Sequence, residues 1–467
     1  MVGVQVITRY GAGTTLSAAS VDDLRGALRG RLIQPGDEDY DRARRVWNGN
    51  IDRNPALIVR CAGVADVIAA VNFARDNQLL LAVRGGAHSA AGYGTCDGGM
   101  VIDLGGLKGV WVDPQRQVAR AQAGVLWGEL DAETQAFGLA TTGGMISNTG
   151  IAGLTLGGGM GWLMGKHGYT VDNLRALDVV TADGSFLTAS ADENPDLFWA
   201  LRGGGGNFGV VTSFEYQLHE VGPIILGGMV LHPLDQARSV LTFYREFSSN
   251  LPDEAEAYAA LLTTPDGIPV VALLLGYNGP IDEGERVLAP ARRFGTPLVD
   301  LVQPMPYVAR QSMLDQGNAV HGIQRYWKSG FTETISDALL DVVVEGARSF
   351  SSPMSAILIF SIHGAGTRVP VSETAVGLRG AKWDCNVLSQ WVDPAESPGH
   401  IAWTRQLWGQ IEPLISGSAY VNHIAGDDRP EKTRASFGAN YGRLAALKQR
   451  YDPTNLFRLN PNVKPEA

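Results

Sequence analysis

The stretch Val83–Gly99, VRGGAHSAAGYGTCDGG, sets a single histidine, His88, among glycines and small residues. A packed core is not built this way, because almost nothing near His88 has a side chain to shield it. Gly85, Gly86, Gly92 and Gly94 give the backbone access to φ > 0 and let it lie close to another molecule. Successive N–H groups in such a loop form an anion-binding nest. The stretch therefore reads as a loop wrapped on a phosphate-bearing ligand, with one reactive imidazole presented to it.

The residues before it supply the scaffold. PALIVR (55–60) reads as a strand, VADVIAAVNFARDN (64–77) has helical spacing, and LLLAV (79–83) is a buried strand that delivers the chain into the His88 loop. This βαβ unit is like half of a nucleotide-binding domain. Two further glycine-rich stretches follow, TTGGMISNTGIAGLTLGGGMGWLMGKHGYTVDN (141–173) and LRGGGGNFGVV (201–211). Three ligand-facing loops in one half of the chain imply one extended ligand. Gly204, Gly206 and Gly209 match G-x-G-x-x-G, but the match is a decoy. A dinucleotide loop leaves a strand and opens a helix, whereas here NPDLFWALR reads as a helix before the loop and VVTSFEYQL as a strand after it.

Composition narrows the class. A chain of 467 residues suggests two or three domains. Hydrophobic residues at 45% and charged residues at 18% describe a globular protein, and the net charge of −10 argues against nucleic acid or an anionic membrane as partner. A small molecule, uncharged or apolar, fits better. Cys61, Cys96 and Cys385 are odd in number and widely spaced, so neither a disulfide framework nor a metal site is indicated. No secretion signal and no run long enough to span a membrane is read, and a cytoplasmic location is the expectation. The oligomeric state is left open.

From about Gly222 the pattern becomes an antiparallel sheet with helices on one face, the strands being IPVVALLLGYN, RYWKSGF, AILIFSIHGAG and AKWDCNVLSQWVD. Tyr326, Lys328, His363, Trp383, Asn386 and Trp391 on these strands are candidates for a substrate wall. Each has cross-strand packing as its alternative. Near the C-terminus, ASFGANYGRLAALKQRY (435–451) reads as one helix that stops at Asp452-Pro453.

Together VRGGAHSAAGYGTCDGGMVIDL, GIAGLTLGGGMGWLMGKHGYTVDNL, NPDLFWALRGGGGNFGVVTSFEYQL and YDPTNLFRLNPNV resemble the berberine bridge enzyme-like flavoproteins. These belong to the vanillyl-alcohol-oxidase (PCMH) type of FAD-binding fold. The resemblance runs in order over about residues 40–465, and within the family it is strongest to bacterial secondary-metabolite members such as the flavin oxygenase of the enterocin pathway. It implies an α+β fold: an FAD-binding part over residues 1–220, an inserted antiparallel-sheet substrate part over 221–420, and a return segment over 421–467.

The resemblance also implies site residues. The family's R-G-G-x-H-S histidine, bonded to the 8α-methyl of FAD, maps onto His88. The cofactor cradle maps onto Arg84, Gly85, Gly86, Ala87, Ser89, Gly92 and Tyr93, then Gly144, Asn148, Gly150, Gly153, Leu156, Gly157, Gly158 and Gly161, then Gly209, Val210 and Val211, with Asn460 and Asn462 from the tail. Two positions depart from the family. Where many relatives carry a second, cysteinyl tether this chain has Ile146, so a single covalent link is expected. Where relatives often carry Y-x-N-Y this chain has Tyr420-Val421-Asn422-His423, so His423 replaces the usual basic tyrosine. Histidine near pKa 6.5 is ready to accept a proton at neutral pH, whereas tyrosine near 10 must first be depressed.

Tyr420, Tyr326 and Tyr441 are the reserve candidates for the base, and Lys328 is a candidate to orient a substrate oxygen. Gly144 falls where relatives gate oxygen, and a glycine there is expected to leave the path open. The expected activity is oxidation of a polyketide-like or other small organic substrate, with hydride passing to FAD and O2 as acceptor. A flavin oxygenase using a peroxy or N5-oxide species, and a non-redox flavoprotein acting as cyclase or carrier, are the alternatives.

Overall fold

A computed structural model of the chain describes residues 3–466. The βαβ unit forms as its hydrophobic pattern requires: strand Leu57–Arg60, helix Val64–Asp76 and strand Leu81–Arg84. Both strands pair in parallel with Met100–Asp103, which lies between them, and Arg31–Ile33 adds an antiparallel edge. Leu57, Ile58 and Val59 are fully buried, which is why this strand reads as a continuous apolar run and not as an alternating one. The His88 loop leaves the carboxyl end of Leu81–Arg84, the edge at which ligands bind in parallel sheets.

A second sheet of five antiparallel strands follows. It runs in the order Phe186–Ser190, Leu174–Val180, Val210–Gln217, Val118–Gln122 and Val110–Asp113. Helix Pro195–Leu201 precedes the Gly203–Gly206 turn and strand Val210–Gln217 follows it, so the element order is the reverse of a dinucleotide loop.

The third sheet is antiparallel and eight-stranded, built from residues 224–391. Helices Ala237–Ser248, Ile281–Arg292, Asp337–Arg348 and Ser397–Ile411 pack on one of its faces. Period-two alternation divides the strands Ala356–Ser361 and Trp383–Trp391 between two environments. Ile357, Ile359, Cys385 and Val387 enter the core shared with Leu339, Val343 and Leu407 of the helices. Leu358, Phe360 and Leu388 point the other way, into a cavity.

The tail corrects one expectation. Residues 435–451 do not form one helix: Pro430–Phe437 and Tyr441–Tyr451 are separate, joined by a turn over Gly438–Asn440. Gly438 has φ +53°, a left-handed conformation that ends the first helix. Beyond it, Lys448 Nζ donates to Asp452 Oδ2 at 2.7 Å, to the carbonyl of Asn207 at 2.7 Å and to that of Phe457 at 2.8 Å. Both charged side chains are wholly buried, and they tie the tail to the Gly203–Asn207 turn.

Removing one partner of such a pair leaves the other as an uncompensated charge. Lys448→Met is therefore expected to destabilise the fold by about 3–5 kcal/mol, read as a lower denaturation midpoint in urea. Asp452→Asn in the same chain should restore part of that loss. Among the described residues, no helix is long and apolar enough to cross a membrane.

Candidate active site

A cavity of about 350 Å³ lies between the two smaller sheets' loops and the inner face of the large sheet. On one side is the His88 loop. None of the backbone N–H groups of Gly85, Gly86, Ala87, His88, Ser89 and Ala90 donates to an acceptor within the described chain. Ala87 is left-handed at φ +59°, which turns successive amides toward the same side. Amides without a partner in the chain, on a cavity wall, are open to a ligand that can accept from them. Gly86 and Gly150 are in close backbone contact, since a Cβ on Gly86 would lie 2.4 Å from the Gly150 nitrogen. A Cβ on Gly153 or Gly206, both on the wall, would meet no atom within 4 Å, so these backbones are bared to whatever fills the cavity.

His88 itself is held on three sides. Its ring stacks on Trp47 with centroids 4.3 Å apart, and Trp47 also carries the Arg325 guanidinium 3.8 Å from its centroid. His88 Nε2 lies 2.8 Å from Asn148 Oδ1, while Nδ1 is 3.5 Å from Thr149 Oγ1. The Asn148 amide is oriented by its Nδ2, which donates to the Ala319 carbonyl at 2.6 Å. Its Oδ1 is therefore an acceptor, the hydrogen sits on His88 Nε2, and the free lone pair is on Nδ1. Burial is the main cause that pushes the His88 pKa down to about 3, so the imidazole is neutral and nucleophilic.

His423, at the end of the turn Val421–His423, also lines the cavity. Its Nδ1 is 3.0 Å from Asp384 Oδ2, and Asp384 is wholly buried on the strand Trp383–Trp391. The carboxylate accepts the Nδ1–H, which leaves Nε2 as an acceptor. Trp327 stacks on the ring at 4.6 Å and Tyr420 meets it edge-on at 4.9 Å, so both the plane and the tautomer of His423 are fixed. Tyr420 is not poised as a base. Burial raises its pKa to about 12, and its oxygen already accepts from the Gly159 N–H and from Asn422 Nδ2, each at 2.8 Å.

Comparison with known proteins places this arrangement in a family. The family model described as FAD binding domain matches residues 55–190, and the one described as Berberine and berberine like matches 419–464. An FAD-linked oxidoreductase of Dictyostelium discoideum is 31% identical over 95% of this chain and 97% of its own length. The (R)-6-hydroxynicotine oxidase of Paenarthrobacter nicotinovorans is 31% identical over 94% of this chain and 98% of its own. The chain belongs to the berberine bridge enzyme-like FAD-linked oxidoreductases.

The crystal structure of 6-hydroxy-D-nicotine oxidase from Arthrobacter nicotinovorans superposes on this oxidoreductase with a TM-score of 0.86, at 30% identity, over 94% of this chain and 98% of that one. Glucooligosaccharide oxidase from Acremonium strictum shares the fold at 24% identity and TM-score 0.86, covering 96% of this chain and 100% of that one, and its flavin is described as 6-S-cysteinyl, 8α-N1-histidyl FAD. The residues of this chain fit an FAD: a nest of unpaired amides for its diphosphate, bared glycine backbone, and a neutral imidazole.

The oxidoreductase's cavity gathers many of the residues singled out from the sequence. Arg84, Gly85, Gly86, Ala87, His88, Ser89, Tyr93, Gly144, Gly150, Gly153, Leu156, Gly209, Val211, Asn460, Tyr420 and His423 all line it. The Arg84 side chain is taken up by Asp103 at 2.9 Å and by the Ala43 carbonyl, so its part in the loop is through the backbone. Asn148 stands behind His88. Other expected residues lie off the wall. Val210 points away because its neighbours Gly209 and Val211 point in. Gly157 and Gly161 allow close packing, since a Cβ would come within 2.2 Å of the Asn422 amide or 1.6 Å of the Gly143 carbonyl. Gly92 packs on Ile51, Gly158 adopts φ +122°, and Asn462 bonds to Asn455 within the tail.

The strand candidates fare differently. Tyr326 and Lys328 sit opposite Ser389 and Val387, on the helix-packed face of the sheet and not on the cavity face. Lys328 is ion-paired to Asp427 and Asp428, and the Tyr326 hydroxyl donates to Asp427. Tyr441 packs against Phe437 under Arg434, away from the wall. Trp383 and Trp391 share the Tyr326 face, and His363 bonds the Ala255 carbonyl. Asn386 is on the inner face, but its Oδ1 accepts from Trp327 Nε1. Sequence reading did not single out Trp47, Trp327, Asp384, Leu358, Phe360 or Leu388, which build the site. Of these, Trp327 and Asp384 are each one residue along from a strand candidate, on the opposite face of the same strand.

Proposed function

We propose that this oxidoreductase is an oxidase of a small organic substrate, polyketide-like or another secondary metabolite, with FAD joined through His88 alone. The observation that carries the reading is the presence, on the wall of one cavity, of a neutral nucleophilic imidazole and a second imidazole held as an acceptor by a buried carboxylate. Gly85–Ala90 would hold the diphosphate through their amides, and His88 Nδ1 would carry the link. Bound FAD supplies a hydride acceptor that O2 reoxidises, giving hydrogen peroxide. His423 Nε2 takes the proton that the substrate releases as its C–H is oxidised, and Asp384 stabilises the imidazolium that results. Apolar side chains keep water from the reacting atoms.

A single histidyl link is supported by the position of Ile146 on the wall and by the absence of any cysteine from it, since Cys61, Cys96 and Cys385 are all buried elsewhere. Gly144 lines the cavity, and a Cβ there would press on Leu154 at 2.5 Å, so any larger residue would crowd this part of the wall. This is the place we assign to oxygen access. The functional division follows the same lines: residues 1–220 and 421–467 hold the cofactor and 221–420 the substrate wall.

The test is anaerobic bleaching of the flavin by substrate, followed by reoxidation in isotopically labelled O2. An oxidase releases hydrogen peroxide and leaves no label in the organic product. Label in the product makes the enzyme an oxygenase, and a flavin that never bleaches makes it a non-redox flavoprotein.

A further inference from the structure

We infer that the substrate is a neutral, largely apolar, ring-bearing alcohol with its hydroxyl directed at His423, and not a sugar, a carboxylate or an ammonium compound. The inference rests on the oxidase reading above and concerns what its wall selects. Three observations on the inner face of the large sheet carry it.

The first is charge. Among the described residues lining the cavity the only charged side chain is Arg84, and it is buried against Asp103. An anionic substrate finds no free cation there, and an ammonium group finds no carboxylate. A buried charge without a partner is too costly for either to be accepted.

The second is the wall itself. Strand register puts Leu358, Phe360 and Leu388 on one face of two neighbouring strands, with Trp327 opposite Leu388 on the next strand, and Leu314 also lines the cavity. Aliphatic groups beside the aromatic side chains of Trp327 and Phe360 favour a ring, and they offer nothing to the many hydroxyls of a saccharide.

The third is the supply of hydrogen bonds. The indole and amide donors on this wall are already engaged: Trp327 Nε1 with Asn386, Asn318 Nδ2 with the Leu314 carbonyl, and Asn422 Nδ2 with the Leu154 carbonyl and the Tyr420 oxygen. His423 Nε2 has no partner in the described chain, and Asp384 makes it an acceptor. An acceptor beside an apolar patch asks for a donor on the ligand. In such a reaction the hydroxyl proton would go to Nε2, bound FAD would supply the acceptor for the carbinol hydride, and the C–O single bond would become a carbonyl. The two electrons then reduce O2 to hydrogen peroxide.

The experiment titrates the flavin-loaded protein anaerobically with naphthylmethanol, naphthoate and cellobiose, following the visible flavin spectrum. Naphthylmethanol should perturb the spectrum saturably, and the other two should bind at least on the order of tenfold more weakly. Leu388→Asp should weaken naphthylmethanol by a similar factor, Leu358→Asn should act in the same sense, and Leu388→Met should not. Equal or tighter binding of cellobiose or naphthoate, no saturable response to naphthylmethanol, or unchanged affinity in both polar variants overturns the assignment. Failure of the oxidase reading looks different: naphthylmethanol then binds saturably and selectively without bleaching the flavin. Bleaching by cellobiose would keep the oxidase and remove the alcohol.

Discussion

His423→Ala is expected to lower kcat/KM by a factor on the order of 10²–10⁴, the usual contribution of a positioned general base. The loss should fall on flavin reduction and not on binding, because Trp327, Leu358 and Leu388 remain to hold the substrate. Stopped-flow measurement of the reductive half-reaction separates the two. Asp384→Asn makes a sharper claim. An amide at this position can turn its NH2 toward Nδ1, which puts the hydrogen on Nε2 and abolishes the acceptor while every atom keeps its place. That variant should lose rate to a similar degree with KM little changed. His423→Tyr should recover part of the activity with a profile moved to alkaline pH, since a phenol near pKa 10 must ionise first. If His423→Ala raises only KM, the histidine binds and does not catalyse, because uniform binding leaves the chemical step untouched.

Glycine distribution and the helix-to-strand order around Gly203–Gly209 made the cofactor half of the molecule legible. Backbone that must lie against a ligand excludes side chains, and that exclusion is written directly in the sequence. Many of the predicted cradle residues line the cavity for this reason. The substrate wall was less legible because both faces of its strands are apolar. In AILIFS, Ile357 and Ile359 meet helices while Leu358 and Phe360 meet the cavity, and nothing in their hydrophobicity says which is which. Attention to polar strand residues then selected Tyr326 and Lys328, which the register puts on the helix face beside Asp427. Asp384 was missed because its significance depends on His423, 39 positions away in sequence. The break at Gly438 was hidden for a related reason, since a glycine inside a helical pattern can be tolerated at a cost or can terminate the helix.

His88→Ala is expected to abolish covalent flavin entirely. Acid-precipitated wild-type protein should stay yellow, whereas the supernatant of the variant should take all the colour, and the mass of the peptide containing residue 88 should lack the flavin increment. The environment of His88 makes a further claim about pH. Burial holds its pKa near 3, so the ring stays neutral between about pH 5 and 8, and the yield of covalent flavin on reconstitution should show no histidine-like titration over that range. Asn148→Leu removes the acceptor that keeps the hydrogen on Nε2. Both tautomers then become populated, and attachment should slow while the finished linkage remains stable. Ile146→Cys tests whether a second, cysteinyl tether can be introduced, since residue 146 lines the same cavity. A second flavin bond in that variant, seen as retention of colour in His88→Ala combined with Ile146→Cys, would show that the cavity is shaped for two links and that the side chain at 146 alone decides between them. Colour lost from the unmutated protein would instead make His88 a non-covalent neighbour of the ring, and the nest of amides from Gly85 to Ala90 the sole anchor of the cofactor.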